Sequence, residues 1–148
     1  MIAAFALATV ASLTVPMSNG SDMTVQVRED DRSGYAFSVD CKSKCAKPLH
    51  FDAGIHDTPV GLVDLQTDGL VYSVWGTGCC FIVRVWQITP TDVRLLFETG
   101  SRAQPSLLGG PELAIETYMR PTDWQRRELG TKVSPMRWSY RQGRFIRS

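Results

Sequence analysis

The chain lacks a surplus of charge in either sign: 16 Lys and Arg stand against 15 Asp and Glu in 148 residues, a formal net of +1. A strong basic or acidic balance is the usual electrostatic footprint of a nucleic-acid or membrane-surface protein, so no specific nucleic-acid partner is expected. Histidine is scarce, with two in all, which leaves little material for a His-rich metal centre. The sequence has no Gly-x-Ser-x-Gly elbow, no His-Glu-x-x-His and no Gly-rich phosphate loop. The common hydrolase and nucleotide-binding signatures are therefore missing. Heptads, low-complexity tracts and exact internal repeats are missing too. With 43% hydrophobic and 21% charged residues, a disordered or collagen-like chain is excluded. The length suits one domain that can bury a core.

Charge is also absent locally, across residues 1–21. Within 1–15 the run of Ala, Leu, Val, Ile and Phe is broken only by Thr9, Ser12 and Thr14. It falls short of the roughly 20 apolar residues that a bilayer-crossing helix needs. It matches instead the core of a secretory signal, with Pro16 ending it and small Ser18 and Gly20 following. No Lys or Arg precedes the run, so either the α-amino group supplies the positive end or the true start lies upstream of Met1. Residues 1–20 are assigned to a signal segment and 21–148 to a single β-rich domain. The expected location is periplasmic or extracellular, with no stable membrane span once the signal is removed.

Four cysteines agree with export. Cys41, Cys45, Cys79 and Cys80 form an even set, which in an oxidising compartment reads as two disulfides with three connectivities open. Cys79 and Cys80 lie in a strand-like run, where adjacent side chains point to opposite faces. Crossed pairing between the two segments is favoured on that ground, and it would close loops of about 35 residues, each contributing about 3–4 kcal/mol in the chain-entropy model.

What the chain has in quantity is short alternating runs between turn signals. Residues 23–28, 35–39, 48–52, 61–65, 70–75, 80–88, 93–98, 112–118, 136–140 and 144–146 all read as strands. Asp68-Gly69 and Gln142-Gly143 mark tight hairpins. The one helix candidate is 122–129, opening on Thr122-Asp123 as a cap. The expected fold is all-β or β-rich, a single-domain antiparallel meander or sandwich with at most one short helix.

Several residues have the chemistry for a site. His50, Asp52, His56 and Asp57 fall close together in sequence, and imidazole with carboxylate suits zinc or copper. Asp64-x-Gln66-x-Asp68-Gly69 echoes a calcium loop with an amide where the middle carboxylate would stand. Too few charged ligands remain for calcium, so Asp64 and Asp68 read as an ordinary hairpin and no cofactor or metal is expected. Charge is divided along the chain: residues 120–148 carry eight basic side chains against two acidic, and 22–119 carry eight against thirteen. Arg137, Arg141 and Arg144 interleave with Trp138 and Tyr140, a combination that suits an acidic protein or polyanion. Packing of this basic region against the chain's own acidic strands is the competing reading. Glu112 and Glu116 are expected to serve as solvent-facing partners for arginines.

Gly76-Thr77-Gly78-Cys79-Cys80, Gly109-Gly110-Pro111-Glu112-Leu113 and Trp138-x-Tyr140-x-x-Gly143-x-Phe145 together resemble a loose class of exported bacterial β-rich proteins. That class has a Gly-rich Cys-Cys stretch and turns akin to FG-GAP/VCBS repeats. The resemblance implies β architecture and export, and calcium at its Asp-rich turns. Here Gly78 stands where a His often precedes the cysteine pair, and the turn before Glu112 has no aspartates. These features together suggest an exported, disulfide-containing, non-enzymatic binding or structural module. The alternatives are a secreted inhibitor or enzyme-associated protein that docks an acidic partner, and a metal-dependent hydrolase using the His50–Asp57 stretch.

Overall fold

A computed structural model describes residues 8–119 and 133–148. Twelve strands follow one another: β1 (Thr9–Pro16), β2 (Asp22–Asp30), β3 (Gly34–Ser43), β4 (His50–Ile55), β5 (Thr58–Asp64), β6 (Leu70–Gly76), β7 (Phe81–Ile88), β8 (Val93–Ser101), β9 (Ser106–Leu108), β10 (Ala114–Met119), β11 (Ser134–Arg141) and β12 (Arg144–Arg147). They form three four-stranded antiparallel sheets, β1–β4, β5–β8 and β9–β12, each a simple meander in chain order. The all-β expectation holds. The helix expected at 122–129 falls outside the described residues. Among the described residues no helix is long and apolar enough to cross a membrane.

The three sheets are layered, and the alternation in sequence dictates which face each residue meets. On β2, Met23, Val25 and Val27 are buried while the residues between them are only half-buried. They join Phe37, Val39 and Ile55 of the first sheet in a core shared with Val71, Trp75, Trp86 and Ile88 of the second. Within it Phe37 stacks on Trp86 at 4.3 Å between ring centres, and Phe51 meets both edge-on. Offset and edge-on aromatic pairs add about 0.5–1.5 kcal/mol each beyond simple burial. The opposite face of the second sheet presents Leu70, Tyr72, Val74, Val83 and Val85 to Ile115 and the aromatic residues of the third. Strand β6 is therefore buried on both faces, and its run Leu-Val-Tyr-Ser-Val-Trp has no exposed position before Gly76. A central strand covered on both sides reads as continuously apolar for this reason.

Turn chemistry fixes the registers. Gln142 and Gly143 both have positive φ, 53° and 78°, as a two-residue hairpin requires, and the strands pair from Arg141–Arg144 onward. At the β5–β6 turn Asp68 and Gly69 do the same, with φ of 52° and 70°. A side chain at Gly69 would place its Cβ 2.1 Å from the Ile88 carbonyl oxygen, so only glycine fits.

Two strands were not among those expected from the sequence. Strand β9 carries no alternation long enough to announce itself, because three residues complete it. The other is β1, formed over Thr9–Pro16 by the apolar run read as the core of a secretory signal. It pairs with β2 from Thr9–Arg28 to Pro16–Asp22 and buries Val15 in the first core. The β1–β2 turn is closed by Asn19, whose Oδ1 accepts hydrogen bonds from the Ser21 amide and hydroxyl. Five to eight apolar residues with β-branched members satisfy a strand as well as a signal core, and periodicity does not separate the two.

Candidate functional site

The disulfides form as expected in number and not in connectivity. Cys41 bonds Cys45 and Cys79 bonds Cys80, leaving no free cysteine. Crossed pairing presumed that Cys79 and Cys80 sit within a strand. They lie instead in the β6–β7 turn, one step before β7 begins at Phe81, where alternation across a sheet does not apply. Thr77 holds that turn: its amide donates to the Cys80 carbonyl at 2.9 Å, and its Oγ1 accepts from the Cys80 amide at 3.0 Å. Cys41 and Cys45 close a turn at the end of β3 in which Lys44 adopts a φ of 55°, bringing the two Cα atoms to 6.0 Å. Disulfides of this kind are consistent with a protein outside the cytoplasm.

The four residues of the His50–Asp57 stretch are dispersed rather than gathered. His50 and His56 lie at opposite ends of β4, about 20 Å apart at the usual strand rise. His50 Nδ1 meets Asp40 Oδ1 at 2.5 Å on the outer face of the first sheet. That hydrogen bond and the charge of Asp40 raise the His50 pKa above its ordinary value, with Asp52 on the same face adding to the shift. Asp57, in the β4–β5 turn, accepts from Arg84 Nη2 at 3.3 Å. The same guanidinium reaches Glu98 at 2.8 Å and lies over the Trp75 ring. Among the described residues no group of three or more His, Cys, Asp or Glu comes together as a metal would need.

The basic C-terminal sheet turns its aromatics inward. Trp138 and Phe145 pack on Phe97 of β8 at 5.2 and 5.0 Å, and Tyr140 packs on Phe145. Trp138 Nε1 donates to Thr117 Oγ1, and Tyr140 Oη donates to Asp68 Oδ2. Both rings pack, half-buried, against the core between the second and third sheets. Arg141 bonds Glu112, and Arg137 stands across the ladder from Glu116. The arginines therefore lie on the outer face beside carboxylates of their own sheet. Arg141 holds the Glu112 carboxyl below its ordinary pKa. Arg144 is exposed at the start of β12.

The Asp64–Gly69 loop has a different setting. Asp64 Oδ1 accepts from the Gln66 amide, so the two aspartates cap a turn and anchor a tyrosine. The loop also forms one wall of a cleft of about 850 Å³ at the end of the molecule. The second wall is the end of β1 with the β1–β2 turn, including Val15, Pro16 and Met17; the third is the end of β7 with Ile88 and Pro90. Among the described residues the charged side chains lining this space are Asp64 and Asp68, with no basic side chain. The volume falls within the roughly 300–1,000 Å³ common to ligand sites, and the lining mixes apolar residues with neutral polar ones.

Two features carried no sequence signal. Ser73 sits at the centre of β6 and is fully buried. Its Oγ donates to the Arg84 carbonyl and accepts from both Trp75 Nε1 and Trp86 Nε1, at 2.8 to 3.0 Å. Arg102 follows β8 and donates from Nη1 to Cys80 Sγ at 3.3 Å and Cys79 Sγ at 3.8 Å. A separation of more than 20 residues hid that contact from any local pattern. Comparison with protein-family models, curated proteins and solved structures finds no match to this chain.

Proposed function

We propose that this protein is an exported, non-catalytic binding module whose ligand site is the cleft between the β1–β2, β5–β6 and β7–β8 turns. The observation that carries this reading is the lining of the cleft: apolar Pro16, Met17 and Pro90 beside neutral polar Thr14, Ser18, Gln66 and Gln87, with Asp64 and Asp68 as its charged side chains among the described residues. Such a surface favours a ligand with a cationic group on an apolar body, such as a segment of basic peptide. The site rests on a rigid frame. Ile88 N donates to the Gly69 carbonyl and Leu70 N to the Thr67 carbonyl, both at 2.9 Å, tying the acidic loop to β7 and to itself. A preformed wall lowers the ordering cost that a ligand must overcome. Export is supported by the two formed disulfides.

Isothermal titration calorimetry with a short peptide of lysine and leucine tests the reading. Saturable binding that weakens with salt and is lost in the Asp64→Asn/Asp68→Asn double variant is expected. Asparagine keeps the acceptor oxygens for Gln66 and Tyr140, so the loop is retained while its charge is removed. Equal affinity for a glutamate–leucine peptide, or binding unchanged in the double variant, would overturn it.

A further inference from the structure

A disulfide stabilises a fold mainly by closing a loop of chain in the unfolded state, and more so the longer the loop. Cys79 and Cys80 are adjacent, so their bond closes no loop and joins no two elements. The turn that carries it is already fixed by the two hydrogen bonds between Thr77 and Cys80. The bond therefore has little structural work to do. Its surroundings are those of a reactive sulfur pair: Cys79 is exposed and Cys80 half-buried, and the Arg102 guanidinium lies nearer to Cys80. A groove of about 440 Å³ opens alongside, with Phe81, Ile82 and Met119 among its apolar lining.

We propose that Cys79–Cys80 is an exchangeable disulfide that accepts two electrons from a dithiol donor, with Arg102 directing which sulfur leaves. A donor thiolate attacks the exposed Cys79 Sγ, forming a donor–Cys79 bond. The Cys79–Cys80 bond breaks with its electron pair on Cys80 Sγ, where the guanidinium stabilises the thiolate. The second donor thiolate then attacks the donor sulfur of the mixed disulfide and expels Cys79 as its thiolate. The donor departs as a disulfide, and the protons of its two thiols pass through solvent to the protein's cysteines. Exchange is faster when the leaving thiol has the lower pKa, and a neighbouring cation lowers it. Asymmetry in exposure and asymmetry in charge thus select the same direction. This activity does not depend on the cleft proposed above, which lies against different turns.

Limiting dithiothreitol added to the oxidised full-length protein, followed by alkylation and peptide mass spectrometry, tests the proposal. Cys79–Cys80 is expected to open before Cys41–Cys45 with the β-sheet circular dichroism intact. Arg102→Gln, which raises the pKa of the leaving thiol, should slow that opening, without changing Cys41–Cys45, and Arg102→Lys should restore much of the rate. In single-cysteine variants, the Cys80 thiol of Cys79→Ser should alkylate at lower pH than the Cys79 thiol of Cys80→Ser. A parallel arm with a reduced Cys-x-x-Cys protein separates donors: opening in both arms assigns protein dithiols, and opening by dithiothreitol alone assigns small ones. Simultaneous or reversed opening of the two disulfides, loss of sheet structure on opening Cys79–Cys80, or an unchanged rate in Arg102→Gln would each overturn it.

Discussion

Replacing Ser73 by alanine removes one oxygen and leaves two buried donors without an acceptor. Trp75 is fully buried and Trp86 is 4% exposed, and both indole N–H groups converge on Ser73 Oγ. An unsatisfied buried donor costs about 1–3 kcal/mol, so the expected loss is about 2–6 kcal/mol. At about 2–4 °C per kcal/mol for a chain of this size, the midpoint should fall by about 4–24 °C. Urea unfolding followed by far-ultraviolet circular dichroism measures the loss, with an unchanged m-value confirming that the native state stays compact. Ser38 supplies the control. It is fully buried as well, but among the described residues its Oγ has no hydrogen-bond partner. Ser38→Ala gives up no bond and removes a desolvated hydroxyl, so it should be neutral or slightly stabilising. Equal effects at the two serines, or a Ser73→Ala cost under about 0.5 kcal/mol, a magnitude ordinary for surface substitutions, would refute the argument.

Three further outcomes are expected. By NMR, His50 should titrate above the usual imidazole value and fall back towards it in Asp40→Asn, since the Asp40 hydrogen bond is the main cause of the shift. Because the folded value is raised, the His50–Asp40 contribution is fully present below about pH 6.5 and is lost as pH rises through the folded value; a stabilisation that instead grew with rising pH across that range would contradict it. Gly69→Ala should cost more than the roughly 1–2 kcal/mol that a left-handed backbone costs an L residue, because Gly69 has a φ of 70° and a Cβ there also meets the Ile88 carbonyl; a neutral result in thermal unfolding would show that the turn relaxes. A chain beginning at Ser21 loses β1 and uncovers the side of β2 that it pairs with, so its unfolding midpoint should be lower than that of the full chain.

The strands were legible where one face is buried and the other wet. In β2 the buried Met23, Val25 and Val27 alternate with polar residues that announce the pleat. The hairpins at Asp68-Gly69 and Gln142-Gly143 were legible because positive φ restricts the residues able to occupy them. The apolar N-terminal run was ambiguous for a physical reason: an edge strand that buries only Val15 and a signal core accept the same apolar and β-branched side chains. Disulfide connectivity was not legible, since it turned on whether Cys79 lies in a strand or in the turn before it, a shift of two residues. The walls of the cleft come from three turns far apart in the chain, and only the Asp64–Gly69 loop carried a pattern of its own. Its aspartates echo a calcium loop, and they form the charged side of a recess lined by both polar and apolar residues. Trp138 and Tyr140 illustrate the converse. An arginine–aromatic alternation reads equally as a binding face or as the two sides of one strand, and in the structure Trp138 packs on Phe97 while Arg141 pairs with Glu112.

The most direct test of the binding account is an amide NMR titration of the full protein with the lysine–leucine peptide. Saturable shifts confined to residues 14–18, 64–69 and 87–90 are predicted, with the amides of the outer face of β11 unmoved. Shifts centred on Arg137, Arg141 and Arg144, or no saturable shift at all, would contradict it.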